Sequence, residues 1–191
     1  MLSLIVPDTS RHGDWKAAFD EFGATAKDGT GFSAAERVDT SPQGFENYVA
    51  DRARQRDPSA ATAEGKVHCT YFWVLDGPRP GEGEIVGFLA LRHALSDVLF
   101  TMGGHIGYSV RPSARGRGIA AGALKLGLAE AAKLGIDHVL VCCSVDNPAS
   151  RAVIEKCGGH FEDVREHPAI PGPSRRYWFG TPPWPSGPTA A

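Results

Sequence analysis

Apolar residues recur along this chain in two rhythms, one suited to strands and one to helices. Short β-rich runs fall at Leu2–Val6, stopped by Pro7, at Cys69–Leu75, at Glu84–Leu91, in a run ending at Val110, and at His138–Cys143. Gly77-Pro78-Arg79-Pro80-Gly81 joins the second and third runs as an antiparallel hairpin with a long tip, its aromatic residues serving the core. Helical spacing governs other stretches. Trp15, Phe19 and Phe22 predict one helix and Phe45–Arg54 another, with Asp28-Gly29-Thr30-Gly31 breaking the two apart. Leu124, Leu128 and Ala131 lie on one face of a helix over Ile119–Lys133, and Gly135 stands just past its end. Asn147-Pro148 is an N-cap followed by a first-turn proline, opening a helix to about Lys156 that Gly158-Gly159 closes.

The rest is loops and ends. Pro58–Gly65 reads as a surface loop, and Phe161–Val164 and Arg176–Phe179 as two strands around a Pro-containing loop. Residues 1–180 then form one domain, and 181–191 a mobile Pro-rich tail. The continuous apolar run His138–Cys143 predicts a buried strand, parallel to the one before the long helix, in a right-handed strand–helix–strand unit. The connection from Arg92 to His105 is long for a hairpin and carries His93, Asp97 and His105.

Composition narrows the classes. The 191 residues suit one domain, and 42% hydrophobic content is ordinary for a soluble protein. A net charge of −2 argues against a general nucleic-acid binder. Cys69, Cys142, Cys143 and Cys157 form no CxxC pair, no disulfide framework and no metal spacing. Cys142 and Cys143 read as reduced core residues rather than nucleophiles. The first residues read as a strand rather than a leader, and no stretch approaches a membrane span, so a cytoplasmic location is expected.

The richest chemistry lies in Gly104–Ala120, a strand, a loop of Gly and Arg, and a helix start. The first N–H groups of a helix lack partners within it and carry partial positive charge. Gly116 and Gly118 allow close approach to the backbone, and Arg115 and Arg117 add charge, making a cradle for phosphate or pyrophosphate. It is not a P-loop, since no Gly-Lys-Ser/Thr closes it. A dinucleotide fingerprint fits poorly, because the loop comes late and an apolar strand follows.

What fits is Arg-x-x-Gly-x-Ala, from Arg115 through Gly118 to Ala120. Here the chain resembles the Gcn5-related N-acetyltransferase superfamily over about residues 67–180. Arg-His-x-Leu-x-Asp and Gly-Gly-His-Ile-Gly-Tyr-Ser further resemble an uncharacterised subgroup of it. The resemblance implies an α/β (α+β) fold with a central, mixed, mostly antiparallel twisted sheet flanked by helices. It implies acetyl-CoA as co-substrate, with Arg115, Gly116, Arg117, Gly118, Ile119 and Ala120 at the pyrophosphate. Tyr108, Ser109 and Val110 would lie along the pantetheine arm, and Asn147 near the pantetheine or acetyl group.

The implied reaction is direct attack of an amine on the acetyl group in a ternary complex. His105 is the candidate base, ahead of His93 and Glu84, and its other reading is a hydrogen-bonded histidine at a strand end. Many members carry an acid Tyr at the position of Ile154, so the acid here is unassigned, with Tyr108 and Tyr177 as candidates. The expected acceptor is a small primary amine, with a protein or peptide amine second. A non-catalytic acyl-CoA sensor is the competing class, and the resemblance admits a homodimer. A third reading, an RNA-contacting module using Arg111, Arg115 and Arg117, lacks aromatic platforms.

Overall fold

The computed structural model describes residues 1–23, 28–33, 36–168 and 170–188, so the last three residues of the expected tail lie outside the described residues. Its elements, in order, are β1 (Leu2–Ile5), α1 (His12–Glu21), α2 (Pro42–Arg56), β2 (Cys69–Asp76), β3 (Glu84–Arg92), β4 (Ile106–Val110), α3 (Ile119–Lys133), β5 (Val139–Ser144), α4 (Pro148–Lys156), β6 (His160–His167) and β7 (Ile170–Phe179). The strands form two sheets, β1-β2-β3-β4 and β5-β7-β6, and every ladder is antiparallel.

Strands β2 and β3 are buried on both faces, and period two sorts their side chains. Phe72, Val74, Leu89 and Leu91 face α3, which contributes Ala123, Leu124 and Ala131. Trp73, Leu75, Ile85 and Phe88 face α1 and α2, which contribute Trp15, Phe19, Phe45 and Tyr48. This two-sided burial explains why the runs read as continuously apolar. A third cluster, Leu95, Phe100, Leu140 and Trp178, ties the long connection to β5 and β7.

The strands flanking α3 form no ladder with each other. The segment leading into β4 meets β5 at an isolated bridge, antiparallel in type, between Gly104 and Val141. Gly104 causes it. With φ +67° the chain bends sharply, and a Cβ there would lie 2.5 Å from the Leu140 carbonyl oxygen. Beyond this seam β4 pairs with β3 and β5 with β7, leaving a gap between β4 and β5.

The Pro-rich stretch makes two contacts with the domain near its start. His138 Nε2 donates to the Thr181 carbonyl at 2.8 Å, and Trp184 packs on the third cluster. No helix among the described residues is long and apolar enough to cross a membrane.

Candidate functional site

The register of β4 decides which backbone groups face the gap. Arg92 N–H donates to His105 O at 2.8 Å and Arg111 N–H to Val86 O at 2.9 Å. With the pairs Ala90–Gly107 and Phe88–Ser109 between them, antiparallel alternation turns the polar groups of Gly107 and Ser109 toward β3. Those of Tyr108 and Val110 turn toward the gap.

After Val110 the chain makes a short turn, Pro112–Ala114, and enters the glycine loop. Gly116 and Gly118 have φ of 77° and 78°, and a Cβ on either would meet nothing within 4 Å. The space above this backbone is open. Among the described residues no side chain caps α3, and its first bond back along the helix is Gly122 N–H to Gly118 O at 3.1 Å. The N–H groups of Ile119, Ala120 and Ala121 therefore have no acceptor within the helix, which makes its N-terminus attractive to an anion.

Both loop arginines have protein partners. Arg115 Nε donates to Val110 O at 3.1 Å, and Arg117 pairs with Asp76 at 2.6 Å. Beneath the turn, Glu21 accepts from Ser113 N–H, Ser113 Oγ and Arg111 Nε. The Ser113 backbone bond, the largest influence, holds its carboxyl below the usual range.

Across the gap, Asn147 Oδ1 caps α4 by accepting Ser150 N–H at 3.0 Å. Tyr108 reaches the same turn, its hydroxyl 3.1 Å from Ser150 Oγ. Burial pushes the Tyr108 phenol up to about 12. Ile154 is fully buried in the core, so that position holds no proton donor. Tyr177 directs its hydroxyl to Glu155 at 3.0 Å. Burial raises the thiols of Cys143 and Cys142, the latter to about 12, against a nucleophilic role for either.

His105 sits on the seam, 2% exposed. Its N–H donates to Leu140 O at 2.7 Å, and its Nδ1 accepts Leu140 N–H at 2.9 Å. Burial pushes its pKa down to about 4. A neutral ring with its proton on Nε2 satisfies this arrangement, and its lone pair is already engaged. His93 Nε2 meets Thr70 Oγ1 at 2.8 Å, and Glu84 stands exposed 3.7 Å from Arg111.

The sequence reading missed a cavity of about 680 Å³ at the C-terminal end of β3 and the adjoining start of β2, lined by Asp28, Phe32, Tyr71, Ala90, Arg92 and Leu99 among others. Asp28 belongs to the run that reads only as a helix break. In the structure that run lies on the sheet. Gly29, with φ +88°, approaches β3 so closely that a Cβ would lie 2.6 Å from Phe88 O. Ser109 Oγ of β4 donates to Asp28 O at 2.6 Å. Arg52, buried against Phe32, Tyr48 and Tyr71, donates from Nε to Thr30 O at 3.1 Å. The Asp28 carboxyl opens to the cavity, yet the protein around it raises its pKa, an effect the Arg92 guanidinium partly offsets. Two glycines flanking one residue in Asp-Gly-Thr-Gly are the local signal of such close packing.

An antiparallel sheet parted at a seam, with an uncapped helix beside the parting, defines an acyltransferase scaffold. The chain belongs to the acetyltransferase (GNAT) domain family, which it matches over residues 11–160. A search of curated proteins finds no match. Solved structures agree in fold. The acetyltransferase of Salmonella typhimurium that modifies the N-terminal serine of a 50S ribosomal subunit protein superposes with TM-score 0.64 at 18% identity, covering 95% of each chain. RimL, a ribosomal alpha-N-protein acetyltransferase, in complex with coenzyme A gives 0.65 at 19% identity, covering 93% of each chain. The microcin C7 self-immunity acetyltransferase, in complex with acetyl-CoA and AMP, gives 0.61 at 16% identity, covering 94% of this chain and 92% of that one.

Proposed function

We propose that this acetyltransferase moves the acetyl group of acetyl-CoA to a primary amine of a small molecule held in the cavity. One observation carries the reading. Strand β4 has an uncapped helix N-terminus beyond its end and the Asp28 carboxylate at the cavity beside it, the Asp28 backbone being tied to the strand by the Ser109 hydroxyl. Residues 115–120 would hold the pyrophosphate, chiefly by backbone N–H groups, with Tyr108, Ser109 and Val110 along the pantetheine and Asn147 near its acetyl end. In the Gly103–Ser109 signature of the subgroup, Gly104, His105, Tyr108 and Ser109 serve the bend, the seam, the gap and the Asp28 tether. A cytoplasmic location agrees with the four unbonded cysteines.

The chemistry follows from placement. The amine nitrogen attacks the acetyl carbonyl carbon, and the Val110 N–H, turned to the gap, is the donor for the developing oxyanion. Asp28 takes the proton shed by the nitrogen as the C–N bond forms. The C–S bond then breaks, and the departing thiolate takes the Tyr108 hydroxyl proton, which solvent restores. In this reading Asp28 replaces His105 as base, because the His105 lone pair already serves Leu140, and His105 positions β4. A peptide amine is the second reading, favoured by a cavity roomier than a simple amine needs.

Thermal-shift titration with acetyl-CoA, followed by free-thiol release over an amine library, tests the proposal. Saturable stabilisation that Gly118→Asp weakens about 10-fold or more, with amine-dependent thiol release, is expected. Binding without release would mark a sensor, and no shift at millimolar acetyl-CoA would overturn the reading.

A further inference from the structure

The cavity carries charge of both signs, and one of its cations makes no ion pair among the described residues. Arg92, at the end of β3, is partly buried, and its Nη1 donates to the carbonyl oxygens of Gly103 and Gly104 at 3.2 and 3.0 Å. No carboxylate stands within ion-pair distance of it among the described residues. Its guanidinium lies over β4, where a Cβ on Gly107 would come within 3.5 Å of Nη2. Asp28 lines the same cavity, close enough for the Arg92 charge to act on its titration. The lining also holds Arg54, which pairs with Asp51 at 2.6 Å, together with Lys66 and Glu36. A half-buried guanidinium without a carboxylate is costly, and a planar fork of donors suits a carboxylate that arrives with a ligand.

We infer that the acceptor is a zwitterion, an α-amino acid whose carboxylate docks on Arg92 while its amine is presented to Asp28 beside β4. This rests on the acetyl-transfer reading above and names the substrate class of that site. The charge arrangement works against polyamines, which would bring further cations beside Arg92 and no anion to pair with it. It also works against amines without an anionic group, which would leave Arg92 uncompensated. The volume and the apolar walls at Phe32, Tyr71, Ala90 and Leu99 leave room for a bulky side chain.

The test is a substrate series on the full chain with acetyl-CoA, reading free thiol and acetylated product. It comprises L-phenylalanine and L-leucine, their carboxamides, phenethylamine, isoamylamine and spermidine. The carboxamides carry the less basic amine, so more of it is neutral and chemistry alone favours them. A kcat/KM at least about 10-fold higher for the free acids therefore reports recognition of the carboxylate. Arg92→Gln is expected to lower kcat/KM for the acids by about 10- to 100-fold, through KM, and to leave the carboxamides within about 3-fold, with Arg92→Lys between. If Arg92→Gln does not fold, the series on the native chain decides alone.

Carboxamides or spermidine used as well as the acids would overturn the inference and leave acetyl transfer standing. Acetyl-CoA binding with no turnover of any member would overturn the inference and leave a binding protein. Absence of acetyl-CoA binding would overturn the transfer reading and the inference with it.

Discussion

Acidification of the folded protein tests the place of His105 in the seam. Its pKa lies near 4 because burial disfavours the imidazolium, against 6.5 when unperturbed. Protonation would also remove the lone pair that accepts Leu140 N–H. Between these values the unfolded chain binds a proton that the folded chain refuses, so stability falls as pH falls. The contribution is complete above 6.5 and is lost progressively as pH drops to about 4. At 1.36 kcal/mol per pH unit, the separation sets a ceiling of about 3 kcal/mol, of which about 2 kcal/mol is lost between pH 7.5 and pH 5. For a chain of this size that loss lowers Tm by about 4–8 °C.

The assay is urea unfolding followed by tryptophan fluorescence at pH 7.5 and pH 5, on the native chain and on His105→Asn. Asparagine offers an acceptor and does not titrate. Carboxylates held low, such as Glu21 and Glu155, lose their contributions at lower pH, and the difference between the two proteins cancels them. The same subtraction removes His93, whose pKa burial also lowers. The variant should be less stable at pH 7.5 yet lose about 2 kcal/mol less on acidification. Equal pH dependence in both proteins would refute the assignment. Loss of the acid limb of kcat/KM in His105→Asn would instead restore His105 as the base.

Three further outcomes are expected. Asp28→Asn should lower kcat/KM about 100-fold without weakening acetyl-CoA binding. It should also remove a low-pH limb that lies above the ordinary aspartate value of 3.8, because activity needs the carboxylate and falls as pH drops through its raised pKa. Tyr108→Phe should lower kcat about 10-fold at unchanged KM for acetyl-CoA in steady-state assays, and an unchanged kcat would remove it from the mechanism. Gly104→Ala should destabilise the fold by about 2–4 kcal/mol in urea melts, from its positive φ and the 2.5 Å approach of a Cβ to Leu140 O.

Elements bounded by local punctuation were legible. Helix α3 spans Ile119–Lys133 as its glycines and apolar spacing imply, since Gly118 and Gly135 both adopt positive φ. The C-terminal hairpin was read too short, for two physical reasons. Strand β6 exposes Phe161 and Val164, so it lacks a buried face to announce it. Its charged residues Glu162 and Asp163 serve Arg176, which is fully buried in β7. Pro171 and Pro173 suggest a loop, but the β5–β7 ladder ends at Ser144–Ser174, so these prolines lie where β7 has a partner on one side only. The clasp between the strands flanking α3 has no signal beyond one residue, since Gly104, a single bend, makes it.

The cofactor half of the candidate site is a contiguous loop, whereas the acceptor half joins distant segments. Asp28 meets Ser109 across 81 positions, and no spacing rule connects them. The missing helix tyrosine shows the same limit. Position 154 is core, but Ser150 lies one turn earlier on the same face of α4. Tyr108 brings its hydroxyl to Ser150 from the opposite strand. A phenol therefore stands beside that turn of α4 although the helix contributes none. The substitution at 154 changes which element supplies the hydroxyl, and by itself it gives no reason to expect a silent enzyme.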